Sequence, residues 1–76
     1  MRTEFPDKYI TLGLKIAYYR RKAGFTQEQF AELVGKSVSF VGQVEGTGTV
    51  RGVSLETLFK MADVLKVSPA KLLEED

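Results

Sequence analysis

Twenty residues constrain this chain more than any others. They run from Thr26 to Glu45, Thr-Gln-Glu-Gln-Phe-Ala-Glu-Leu-Val-Gly-Lys-Ser-Val-Ser-Phe-Val-Gly-Gln-Val-Glu. Phe30, Ala31 and Val34 recur at helical spacing, Gly35 interrupts, and Val41 and Val44 resume on the far side. The pattern predicts two short helices joined by one tight turn. Ala31 is small, as a close helix crossing needs, and Gly35 supplies the positive φ of a sharp turn. Ser37 offers a hydroxyl to cap the second helix. Two helices locked at a steep angle leave the second projecting from the surface, and an α-helix fits the DNA major groove.

Size and composition narrow the alternatives. Seventy-six residues make one domain, near the lower size at which a core stabilises a chain without staples. There is no cysteine, hence no disulfide, thiol nucleophile or thiolate metal site. Histidine is also absent, which removes the commonest general base and metal ligand. No cofactor, metal site or small-molecule ligand is expected, and no enzyme. The apolar runs are too short to span a membrane and no signal-peptide pattern opens the chain, so a cytoplasmic protein is expected.

Net charge is only +1, so placement matters more than the total. Glu74, Glu75 and Asp76 are all acidic, and without them the balance is +4. Arg20, Arg21 and Lys22 cluster at the end of the first helix, Lys36 lies in the turn and Arg51 in the loop beyond. That distribution fits one basic face and an acidic tail. The plain alternative for Arg20, Arg21 and Lys22 is a solvated helix face.

Start and stop signals place five helices. The first follows Pro6-Asp7 and runs to Lys22, with Leu12, Ile16, Tyr19 and Ala23 on one face and Gly24 at its end. Gly13 weakens its opening turn by roughly 1 kcal/mol relative to alanine. The second helix opens at Thr26, which forms a capping box with Gln29 while Phe25 and Phe30 staple around it. The third covers Ser37 to Glu45. The fourth is capped by Ser54 and turns Leu55, Leu58, Phe59, Ala62 and Leu65 inward. The fifth has Ser68 as cap and Pro69 at its first position, with Val67 stapled onto Leu72. No strand pattern, repeat or low-complexity tract competes, so the fold class is all-α. The expected organisation is a single domain over 1–76, with flexible residues 1–6 and an acidic end at 74–76.

Residues Gly46 to Val53 carry three glycines and two threonines and read as a loop. The P-loop lysine and the preceding strand are missing, which argues against a nucleotide site. One reading is a plain connector. The other lays the loop along a DNA backbone, presenting its amides, Thr47, Thr49 and Arg51 to phosphates.

From Leu12 to Leu73, about four-fifths of the chain, the sequence resembles the phage-repressor and Cro type of helix-turn-helix domain, the XRE family. The resemblance rests on Gly-Phe-Thr-Gln-Glu-Gln-Phe-Ala at 24–31, Val-Gly-Lys-Ser at 34–37 and Val-Gly-Gln-Val-Glu at 41–45. Ser-Leu-Glu-Thr-Leu at 54–58 and Leu-Lys-Val-Ser-Pro at 65–69 follow in the family's order. It implies a five-helix bundle of the lambda-repressor-like type. It further implies that Gln27 contacts a phosphate, that Ser37, Val38, Ser39 and Gln43 face the bases, and that Arg20 pairs with Glu45. Lys36 stands where the family is usually apolar, leaving the turn less buried or the lysine free to reach a phosphate. Gly42 replaces a small polar residue within the third helix. The 46–53 loop is about two residues longer than the common pattern.

Gln43 suits adenine, Ser37 and Ser39 suit base or phosphate, and Val38 reads only a thymine methyl. Phe40 is read as packing rather than base-reading, and one of Tyr18 and Tyr19 as core with the other on the surface. So few readers imply that DNA shape carries part of the specificity. A sequence-specific, double-stranded-DNA-binding transcriptional regulator is expected, acting by steric occupancy or contact with RNA polymerase. The alternative is a protein-interaction module, such as an antitoxin-like or regulatory partner. A symmetric homodimer on a palindromic operator is expected because one short helix reads few base pairs. Val50, Val53, Pro69 and Leu72 are its candidate interface; the plain alternative makes Val53 a staple and Leu72 core.

Overall fold

A computed structural model describes residues 2–75, and these contain five helices and no strand. Pro6, whose missing N–H is no loss at a helix start, opens α1 (Pro6–Lys22). The others are α2 (Gln27–Val34), α3 (Val38–Glu45), α4 (Leu55–Leu65) and α5 (Pro69–Leu73). Residues 46–54 form the connection between α3 and α4 and hold no regular element. Among the described residues no helix is long and apolar enough to cross a membrane.

Side-chain caps start four of the helices. Thr26 Oγ1 accepts from Gln29 N at 3.1 Å, and Gln29 Oε1 accepts from Thr26 N at 2.9 Å, a reciprocal capping box. Ser37, Ser54 and Ser68 hydroxyls accept from the amides of Phe40, Thr57 and Ala70. The stops are equally local. Gly35 adopts φ +77°, so that Lys36 N–H reaches back to Ala31 O at 2.9 Å and the chain reverses between α2 and α3. The same bond pattern closes α1, from Phe25 N to Arg20 O, and α4, from Val67 N to Ala62 O. At α4 the left-handed residue is Lys66, not glycine.

The core gathers Leu12 and Ile16 of α1, Phe30, Ala31 and Val34 of α2, Val41 and Val44 of α3, Leu58, Met61, Ala62 and Leu65 of α4, and Leu72 of α5. Helix α3 packs on α1 and α2, α4 on α2, and α5 on α1 and α4. Each large side chain so buried contributes about 1.5–3 kcal/mol, which together outweigh the roughly 1 kcal/mol propensity cost of Gly13.

Several expected core positions differ. The buried stripe of α1 is Leu12, Gly13, Ile16, Ala17 and Arg20, with Tyr19 half-buried and Ala23 exposed at the helix end. Small residues at 13 and 17 let α3 lie close, whereas Ala23, almost in line with Ile16 around the helix, is exposed because it lies past the last turn of α1. On α4, Leu55 and Phe59 are 65% and 52% exposed, whereas Met61 and Thr57 are buried. The inward stripe of α4 follows Leu58, Met61, Ala62 and Leu65, and Leu55 and Phe59 flank it. Leu72 is 0% exposed. It is a core residue with no surface left for a partner chain. Tyr18 and Tyr19, neighbours in sequence, still touch edge-on with ring centroids 5.0 Å apart. At the chain ends, Pro6 is already helical, and Glu75 pairs with Lys8 at 3.2 Å. The expectation for 1–6 and 74–76 falls outside the described residues at Met1 and Asp76.

Candidate nucleic-acid interface

Helix α3 buries Val41, Val44 and Glu45 and exposes Val38, Ser39 and Gln43, with Gly42 half-buried. A helix turns about 100° per residue, so Val38, Gly42, Ser39 and Gln43 share one outward face. Ser37 is exposed at its start, with its oxygen engaged by Phe40 N at 3.1 Å and its hydroxyl proton still available to donate.

One flank of α3 is locked by a buried polar network. Arg20 Nε donates to Glu45 Oε2 at 2.7 Å and Nη2 to Glu45 Oε1 at 2.9 Å. Its remaining nitrogen, Nη1, donates to the Phe25 carbonyl at 2.7 Å. Gln27 Nε2 adds a third bond to the carboxylate, reaching Glu45 Oε1 at 3.0 Å. Arg20 and Glu45 are both buried, and among the described residues no buried side-chain nitrogen or oxygen lacks a partner. A buried pair of this kind gives little net stability over an apolar one. What it does give is geometry, because one carboxylate ties together α1, the first residue of α2 and the last of α3. Gln27 keeps one amide hydrogen and its carbonyl for a further partner.

The other flank is cationic. Lys36 Nζ lies 5.4 Å and Arg51 Cζ 4.9 Å from the centroid of the Phe40 ring. Lys36 and Arg51 are exposed, while Phe40 is half-buried and packed on the core. Lys60 Nζ lies near Gly35, at the end of α2. Arg21, Thr47 and Thr49 are exposed, the first on the last turn of α1 and the others in the 46–54 connection. Val50 and Val53 are half-buried, Val53 against the core, and Pro69 is half-buried at the start of α5.

Two relationships escaped the sequence reading. Gln27 was legible as a helix-start residue, but its bond to Glu45 joins positions eighteen apart and leaves no local pattern. Lys36 precedes the cap of α3, outside the helical spacing that would pair it with Phe40, and nothing local points from Arg51 to the ring. Among the described residues no group of acidic side chains is arranged to hold a metal ion.

A buttressed helix beside a tight turn, outward face free, is the geometry for which the helix-turn-helix is named. The helix-turn-helix family model matches residues 16–72. The chain belongs to the XRE-type helix-turn-helix family. It is 35% identical over 60 residues to the uncharacterized HTH-type transcriptional regulator YazB of Bacillus subtilis, covering 79% of this chain and 84% of that one. It is similar in structure to the restriction-modification controller protein C.AhdI of Aeromonas hydrophila. That match has TM-score 0.79 and 33% identity, over 87% of this chain and 97% of the other. The biofilm master regulator SinR of Bacillus subtilis, solved in complex with DNA, matches with TM-score 0.75 and 30% identity, over 83% and 98% of the two chains. The family is one of DNA-binding transcription regulators, not of enzymes.

Proposed function

We propose that this chain is a sequence-specific transcriptional regulator that places α3 in the major groove of double-stranded DNA. The observation that carries this reading is the outward face of α3, with Val38, Ser39 and Gln43 exposed between two polar flanks. Gln27 stands on one flank and Lys36 with Arg51 on the other, as a helix between two phosphate strands requires. Arg21, Thr47 and Thr49 supply further phosphate contacts from the surface. It acts in the cytoplasm, by occupying a promoter or touching RNA polymerase, and needs no cofactor.

The active species is a homodimer on a palindromic operator, because a single α3 offers too few base-reading groups for useful specificity. Exposed apolar side chains support an interface on the side of α4 and α5. Phe5, Leu55 and Leu73 are each more than half exposed and line one groove with Tyr9 and Val53. Apolar exposure of this kind marks interaction surfaces. Val50 and Pro69, both half-buried, are assigned to the same interface, and Leu72 belongs to the core.

Fluorescence anisotropy with a random duplex at low salt, then salt titration, tests the first part. Affinity that falls steeply with salt is expected. No affinity at low salt would instead identify a protein-interaction module. Ultracentrifugation with a duplex selected from genomic DNA tests the second part. Two chains per site are expected, and strict one-to-one binding on a non-palindromic footprint would refute the dimer.

A further inference from the structure

Two cations gather on one aromatic ring beside the groove-facing helix. Lys36 Nζ and Arg51 Cζ lie 5.4 Å and 4.9 Å from the Phe40 centroid. Neither makes an ion pair among the described residues, so no carboxylate explains why they converge. Like charges repel, and the electron-rich face of the ring is the attraction that offsets this. Phe40 is itself fixed. Its ring packs on the core and its amide is held by the Ser37 hydroxyl at 3.1 Å. It lies about 60° around α3 from Gln43, at the border of the outward face. Lys36 comes from the turn before α3 and Arg51 from the long connection after it, so the ring contacts a cation from each side of the helix.

We infer that Phe40 is a positioning residue, whose ring holds Lys36 and Arg51 together as a phosphate-binding pair for one strand of the DNA backbone. This rests on the DNA-binding reading above and deepens it. Free in solution, both long side chains would sample many rotamers and the 46–54 connection would carry Arg51 with it. Docked on the ring, they form a site of concentrated positive charge before DNA arrives, and binding then orders less of the protein. Phe40 touches no base, and its effect is on backbone affinity for any sequence.

The test uses the 76-residue chain made by chemical synthesis with pentafluorophenylalanine at position 40. This analogue keeps the ring's outline and inverts the charge distribution of its face, so packing is retained while the cation attraction is lost. Phe40→Leu and Phe40→Tyr accompany it, and circular dichroism melts check that each is folded. With a random duplex in anisotropy titrations, the fluorinated chain and Phe40→Leu should each bind about 3- to 10-fold more weakly than wild type, with Phe40→Tyr unchanged. Their salt slope should stay as in wild type, because both cations remain. The Lys36→Ala/Arg51→Ala double variant should lose about 2 from the slope, and fluorination at position 40 in that background should cost nothing further.

Wild-type affinity in the fluorinated chain overturns the inference. So does an equal loss with and without Lys36 and Arg51, which would show that the ring acts through packing alone. A wild-type chain without affinity for DNA fails earlier and overturns the DNA-binding reading itself, and this inference with it.

Discussion

Gly13 on α1 abuts the backbone carbonyl of Val44 on α3 so closely that a Cβ at position 13 would overlap that oxygen. The glycine therefore sets how near the groove-facing helix sits to α1, and the neighbouring Arg20–Glu45 bonds are built at that spacing.

Gly13→Ala separates two opposing effects. Helix propensity alone favours alanine by roughly 1 kcal/mol. The overlap is with backbone, which has no rotamer to escape into, and overpacking of this kind costs about 1–3 kcal/mol or more. The close approach wins. Gly13→Ala should lower the melting temperature and weaken DNA binding together, because α3 must be displaced. A variant more stable than wild type would show that α1 and α3 do not pack so closely.

Glu45→Ala removes the acceptor for Arg20 Nε, Arg20 Nη2 and Gln27 Nε2 at once. A guanidinium with little exposure is left holding only the Phe25 carbonyl. Breaking a buried pair from one side costs about 3–5 kcal/mol, a large share of the stability of a domain this small. Thermal denaturation should show a drop of many degrees or no folded state at 37 °C. A melting temperature within error of wild type would mean that Arg20 finds solvent.

The helix starts and stops were legible because caps are local. Thr26 with Gln29, Ser37, Ser54 and Ser68 each satisfy amides within three residues of themselves. What escaped was non-local. Gly13 reads as a weak helix residue until Val44 is placed against it. Leu55 and Phe59 read as core because hydrophobicity does not record which flank of α4 is covered. Their exposure makes sense as part of an apolar surface, not as a fault in the pattern. The candidate site divides in the same way. The outward face of α3 follows from its period, whereas the convergence of Gln27 on Glu45 and of Arg51 on Phe40 required the fold.

Lys66 is the one non-glycine residue with positive φ among those described, at +57° after the last turn of α4. A side chain in that conformation costs about 1–2 kcal/mol. Glycine removes the strain but gives the unfolded chain more freedom, worth about 0.4–1 kcal/mol against it. Lysine also interacts favourably with the helix C-terminus by a few tenths of a kcal/mol. The balance favours glycine by about 0.5 kcal/mol. Lys66→Gly should raise the urea midpoint slightly, and Lys66→Ala, which keeps the strain and loses the charge, should lower it. The opposite order for the two variants would show that the left-handed conformation is not the controlling term.

Gln43 and Gln27 distinguish reading from holding. Gln43 is exposed on the outward face of α3, where a side-chain amide pairs with an adenine edge. Gln43→Ala should weaken binding to the selected operator by about 1–3 kcal/mol and leave random-duplex affinity nearly unchanged. Gln27 starts α2 with one amide hydrogen already given to Glu45. Its remaining donor faces a phosphate in the proposed complex, and a phosphate contact is blind to sequence. Gln27→Ala should therefore lower both affinities by the same factor, and cost about 1 kcal/mol of stability through the lost bond to Glu45. Titrations of both variants on both duplexes, well below their melting temperatures, give four affinities. If Gln43→Ala lowers the two affinities equally, Gln43 is not a base reader. If Gln27→Ala loses affinity only for the operator, it acts through the placement of α3 and not through the backbone.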